Sequence, residues 1–153
     1  MRTVITFVII SFVVPGVFAQ SLKPEQVPAV VVRGLHEKFP NAKSATWKLK
    51  TDGNYEAEFT RNRREIAAKF DPSGKWIETE SAIPRTQLTA AVAATIAHRF
   101  KGYQIVETQT VVRLNQARLI YEVHVENHVE IVKVQLYDDG TIVTQSAKQK
   151  AKS

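Results

Sequence analysis

His124 and His128 stand four residues apart, and His124 lies between Glu122 and Glu126. On a helix, an H-x3-H spacing sets two imidazoles on one face, the arrangement zinc hydrolases use. This stretch instead alternates apolar and polar residues, which is the pattern of a strand. In a strand Glu122, His124 and Glu126 point to the same side. Such a row could offer a cation two carboxylates and an imidazole. A solvated, charged strand face accounts for it more simply, so no metal ligands are assigned. Glu56 and Glu58 share a face with Glu65 and Lys69 across an expected hairpin. Cross-strand ion pairing explains them better than a paired acid and base. His36 and His98 fall on expected helices and read as surface residues. The chain has no Cys, which removes thiol nucleophiles, thiolate metal sites and disulfides. No G-x-S-x-G, H-E-x-x-H, phosphate-loop or dinucleotide pattern occurs. The expectation is a protein that is not an enzyme and holds no cofactor.

Aromatic residues carry a different message. Tyr55, Phe59, Phe70, Tyr121, Phe39 and Phe100 fall in the apolar phase of their elements and read as core. Trp76 falls in the opposite phase if Ile77 points inward, which places it beside Glu78 and Glu80. Tyr137 follows inward-facing Leu136 and should also face out. Exposed Trp, Tyr and Arg are enriched at binding hot spots. Trp76, Tyr137, Lys48, Arg63 and Glu78 are therefore the candidate partner-contacting residues.

The elements that position these side chains can be read from periodicity. Val27, Val31, Leu35 and Phe39 recur at helical spacing, as do Leu88, Val92, Ile96 and Phe100. Pro28 suits a first helical turn, Pro40 stops the first helix, and Thr89 can cap the second. Gly34 inside the first helix costs about 1 kcal/mol relative to Ala. After each helix the period drops to two. Strands are expected over 44–50, 55–59, 66–70 and 76–80, then over 103–114, 119–125, 129–136 and 141–145. Asp52-Gly53, Asp71-Pro72-Ser73-Gly74 and Asp138-Asp139-Gly140 supply turns. The segment 55–74 maps on 121–140 with a constant offset, so the chain reads as an internal repeat. The expected fold class is α+β: a tandem α-β4 repeat, its halves at about 20–82 and 83–147. Helices should cover one face of an antiparallel sheet and leave the other open.

A leader precedes this body. Arg2 supplies a positive charge, residues 4–14 (VITFVIISFVV) form an apolar run, and Val17-Phe18-Ala19 ends in small residues. That is the order of a secretory signal peptide over 1–19, cleaved after Ala19. The run is too short for a spanning helix, which needs about 20 apolar residues. A periplasmic or secreted location follows, without stable membrane insertion. The net charge of +6 is partly due to Lys148, Lys150 and Lys152 in an expected basic tail over 148–153. Such an end is usually frayed and solvated. With export expected and no aromatic–basic motif present, nucleic acid is not an expected partner.

The order of motifs is distinctive: a helix ending in Phe39-Pro40, then Trp47, then 52–59 (DGNYEAEF), then 70–76 (FDPSGKW). A second copy follows in 100–103 (FKGY), 121–123 (YEV) and 137–140 (YDDG). This resembles the exported PepSY-like family, also described as beta-lactamase-inhibitor-like. The resemblance implies a PepSY-like domain over 20–147 and a tandem α-β4 fold. It also implies an inhibitor-like role, in which the open sheet face contacts an unidentified exported protein or peptide. The absence of Cys departs from the beta-lactamase inhibitory protein, so no target is carried over. A small-ligand or metal-binding exported protein, or a small hydrolase using the His124 region, stays open as the alternative.

Overall fold

The computed structural model describes residues 20–151. The expected leader and its cleavage site lie outside the described residues. The fold is α+β: a nine-stranded, fully antiparallel sheet with two α-helices. The strands are β1 (Gln20–Leu22), β2 (Thr46–Leu49), β3 (Tyr55–Arg61), β4 (Arg64–Phe70), β5 (Trp76–Ala82), β6 (Gln104–Arg113), β7 (Ile120–Glu126), β8 (Glu130–Tyr137) and β9 (Ile142–Gln149). They neighbour one another in chain order; short loops join all of them except β1 to β2 and β5 to β6, whose connections carry the helices. The helices are α1 (Ala29–Lys38), before β2, and α2 (Ala90–Arg99), before β6.

Each helix buries the stripe its sequence prescribes. Val31 and Leu35 of α1 join Trp47, Ala57, Phe59, Ile66, Ala68 and Phe70 in one core. Val92 and Ile96 of α2 join Val123, Val125, Val132, Val134 and Leu136 in another. The strand members are alternate residues, so each core lies on one side of its strands. Phe59 and Phe39 meet edge to face with ring centroids 5.2 Å apart. Thr89 caps α2 as expected: its hydroxyl accepts from the Val92 N–H at 3.1 Å and donates to the Asp138 carbonyl at 2.7 Å.

Gly34, unfavourable by helix propensity, has a packing reason. A Cβ there would sit 2.1 Å from the Gly74 carbonyl oxygen, and one on Gly74 would sit 2.4 Å from the Val30 carbonyl oxygen. The β4–β5 turn therefore lies directly on the α1 backbone. Gly74 also has φ +84°, which L side chains rarely adopt.

Three expectations need correction. The short strand β1 was not foreseen; it pairs with β2 through Ser21 and Lys48, too briefly to show a periodic pattern. The last strand, expected to end at Gln145, continues to Gln149. Lys148 and Gln149 of the expected tail thus pair with Ile131 and Glu130, and Lys150 reaches Glu126 at 2.9 Å. Lys-rich composition suggested a free end, but the β8 ladder and a carboxylate hold it.

The third correction concerns Trp76. Lys69 pairs with Glu78, but Phe70 pairs with Trp76, so a β-bulge at Ile77 adds one residue to β5. One extra residue reverses the alternation. Trp76 consequently joins the α1 side, packed against the core that contains Phe70. Its indole N–H donates to the Thr79 hydroxyl at 2.8 Å, and the Lys38 ammonium sits 3.9 Å from the ring centroid.

Candidate functional site

The sheet side opposite the α1 core is a polar trough of about 990 Å³. Its floor is built by the alternate strand residues that the helix side leaves over. Lys48 comes from β2 and Lys50 from just beyond its end, Glu56 and Glu58 from β3, Lys69 from β4, Glu78 and Glu80 from β5, Gln109 and Arg113 from β6, and Lys133 from β8.

These charges are arranged as pairs. Lys48 bonds Glu58, Lys50 bonds Glu56 at 3.0 Å, and Lys69 bonds Glu78 at 2.8 Å. Glu78 also accepts from the Arg113 Nε at 2.7 Å. Burial raises the Glu78 pKa, but the hydrogen bonds from Arg113 and Lys69 outweigh it and the carboxyl titrates below its ordinary range. Glu80 lacks bonds of that strength, and burial holds its carboxyl above the ordinary range.

At the β6–β8 end lies a charge that sequence reading placed in solvent. Glu122 is fully buried. Its carboxylate accepts from Gln109 Nε2 at 2.6 Å, Gln135 Nε2 at 2.6 Å, Lys133 Nζ at 2.9 Å and His124 Nε2 at 2.9 Å. The other imidazole nitrogen, Nδ1, meets Glu107 at 2.8 Å. Burial alone would raise the Glu122 pKa; the bonds from His124, Gln135 and Lys133 bring it down to about 2. Bonds to Glu107 and Glu122 raise His124 to about 9, against the effect of burial. The imidazole is thus a cation at neutral pH, held between two carboxylates.

This corrects the expected solvated Glu122/His124/Glu126 row. Register brings Gln109, Gln135 and Lys133 over Glu122 from two neighbouring strands, and a single strand's alternation carries no sign of them. Glu126 is not part of the group; it pairs with Lys150. Both nitrogens of His124 are occupied by carboxylates, so the imidazole offers a metal no lone pair. Among the described residues no cluster of His, Asp and Glu has the geometry of a cation site.

The candidate contact residues divide. Lys48 and Glu78 line the trough. Tyr137 is half-buried and pairs with Ile120, with the Arg118 guanidinium 4.0 Å from its ring centroid. Arg63 is exposed at the β3–β4 turn, with φ 62°, and is not among the residues that line the trough. Trp76 lies on the other side. Sequence reading missed Glu107, Gln109, Glu122, Lys133 and Gln135 as one constellation. Their only sequence signal is polar residues recurring every second position in consecutive strands.

Among the described residues no helix is long and apolar enough to cross a membrane. No curated protein sequence matches the chain. A BLIP-like protein from Bacteroides fragilis is 20% identical, with a TM-score of 0.66 over 86% of this chain and 91% of that one. A DUF2874 family protein from Bacteroides uniformis is 20% identical, with a TM-score of 0.70 over 78% of this chain and 88% of that one. A structure from Bacteroides eggerthii described as "putative periplasmic proteins" is 18% identical, with a TM-score of 0.70 over 79% and 88%. At such identities these similarities speak for the fold. Residues 53–143 match the family model described as "Putative beta-lactamase-inhibitor-like, PepSY-like". With more than half its length in that match, the chain belongs to the PepSY-like, beta-lactamase-inhibitor-like family.

Proposed function

We propose that this protein is an exported, non-enzymatic, inhibitor-like binding module that contacts a protein or peptide through the trough. The observation that carries this reading is the trough itself: broad and polar, with its charged side chains held in place by mutual ion pairs. A preorganised charged surface gives a partner a fixed electrostatic template without the entropic cost of ordering long side chains. Lys48, Glu78 and Tyr137 would meet the partner directly, and Arg63 would steer it from the β3–β4 turn. Trp76 plays no part, because it lies on the α1 side. Family membership and the periplasmic description of one structural relative support export.

The same reading includes a tandem architecture, with units at about 20–82 and 83–147 and both helices on one side of the sheet. Register supports it: Ala68, Thr79 and Val112 are successive cross-strand partners, and Thr108, in phase with Val112, pairs with the α2-core residue Val123. So does helix packing. Gly74 lies against Val30 of α1, and Gly140 lies against Ala91 and Thr95 of α2.

Site-specific photo-crosslinking in the producing cell tests the binding role. A crosslinker replacing Lys48 should give a discrete adduct, and one replacing exposed His36 on α1 should not. Adding the charge reversal Arg63→Glu should reduce adduct yield. Equal labelling from both faces, or none from Lys48, would overturn the proposal.

A further inference from the structure

The trough matches its charges internally, whereas one end of the sheet does not. Arg61 and Arg64 are the last cross-strand pair of the β3–β4 hairpin, and Arg63 stands in the two-residue turn between them. Arg64 donates to the Gln87 side-chain oxygen at 3.4 Å. That contact sets the short 3₁₀ turn Arg85–Gln87 beside the hairpin and adds Arg85 to the group. All four arginines are exposed, and none forms an ion pair among the described residues. None of them lines the trough. Arg61 and Arg64 share the phase of the core residues Phe59 and Ile66, so they lie on the α1 side. There the Arg61 guanidinium stands 6.0 Å from the Phe39 ring centroid. Glu65, the adjacent acid in the chain, lines the trough on the other side.

This arrangement works against the stability of the free protein. Like charges directly opposite in a ladder repel. Asn62 and Arg63 have φ 52° and 62°, and the second position of such a turn normally takes glycine. Arginine there brings a third positive charge to a pair that already repels. By contrast, Lys48, Lys50, Lys69 and Lys133 on the trough side each have a carboxylate partner. An anion from outside would relieve the repulsion. Arginine at all four positions, rather than lysine, favours an oxyanion, because the guanidinium fork matches phosphate geometry. Residues 60–65 are all exposed, so the hairpin end is a projecting tip. Such a tip fits an array of phosphates on a surface better than one enclosed small ligand.

We propose that the β3–β4 hairpin end, through Arg61, Arg63, Arg64 and Arg85, is a peripheral docking site for the phosphate headgroups of an anionic lipid surface. The contact is electrostatic, and each cation brought near such a surface strengthens it about fivefold. No large apolar side chain is exposed at this end, so the protein rests on the headgroups without insertion. Docking through one end of the strands leaves the trough, on a face of the sheet, clear of the lipid. The site is separate from the trough and does not depend on the role proposed for it.

Cosedimentation with vesicles tests this. The protein should pellet with vesicles of equal parts phosphatidylglycerol and phosphatidylcholine, remain in solution with phosphatidylcholine alone, and be released by added salt. Arg64→Glu sets a carboxylate opposite Arg61. It should lower the partition at least about tenfold, since two charges change. Its melting temperature should hold or rise, because repulsion across the ladder becomes attraction. Arg85→Glu, outside the hairpin, should lower the partition to a similar degree. Lys75→Glu makes the same change in net charge at the exposed turn on the opposite end of β4. It should alter the partition by less than about twofold, being more than a screening length away. Equal losses from Lys75→Glu and Arg64→Glu would overturn the proposal, since net charge alone would then govern adsorption. Undiminished partition of both arginine variants, or no difference between charged and neutral vesicles, would also overturn it. So would saturable binding of free glycerol phosphate as tight as binding to the vesicles, which would mark a site for single small anions.

Discussion

Glu122 shows what one buried charge demands. A carboxylate out of water is costly unless its lone pairs are filled and its charge matched, and Glu122 takes hydrogen bonds from four side chains. Glu122→Gln would leave His124 and Lys133 facing a neutral amide. Chemical denaturation should show a loss of about 3 kcal/mol, the scale for breaking a buried ion pair. The His124 midpoint, followed by NMR, should fall below about 9 in the same variant. The pH dependence has two sides. His124 is raised on folding, so its contribution is complete below its ordinary pKa of 6.5 and lost as pH rises through about 9. Glu122 is depressed on folding, so its contribution is complete above 4.5 and lost as pH falls through about 2. The network should stabilise the fold most between pH 4.5 and 6.5. Thermal melts across pH should show a maximum there, and His124→Gln should flatten its alkaline side.

At the scale of the element, close backbone approach and the bulge decide outcomes that propensity does not. Gly34→Ala improves helix propensity by about 1 kcal/mol, yet its Cβ would meet the Gly74 carbonyl at 2.1 Å. The turn must move, so we expect a net loss of about 1–3 kcal/mol in denaturant unfolding, as for overpacked cores. Phe70 is fully buried in the α1 core, and Phe70→Ala should cost about 3–5 kcal/mol. Trp76→Ala should cost less, about 1–2 kcal/mol, because the ring is only partly buried. Its crosslinking yield at position 48 should be unchanged. A loss of crosslinking without a loss of stability would return Trp76 to the contact surface.

For the whole molecule, strand order in space equals strand order in the chain, which keeps contacts between neighbours local and lets each helix close its own core. Gln20 opens β1 against β2. The leader reading therefore makes a definite prediction: N-terminal sequencing of exported protein should begin at Gln20, and a form retaining Met1 would contradict it.

Periodicity alone was enough for both helices and for eight of the nine strands, because an element that buries one face must repeat at its own pitch. It was enough, too, for the core aromatics Phe59 and Phe70. Trp76 was misplaced because a bulge is a property of two strands: nothing in 76–80 alone distinguishes an inserted residue from a regular one. Glu122 was misread for a related reason. Alternation tells which side of a strand a residue takes, and Glu122 does share a side with His124. Whether that side is wet depends on what neighbouring strands bring to it. Gln109 and Lys133 reach Glu122 only through the pairing register of β6, β7 and β8, so burial of that carboxylate is decided by the tertiary structure and by nothing shorter.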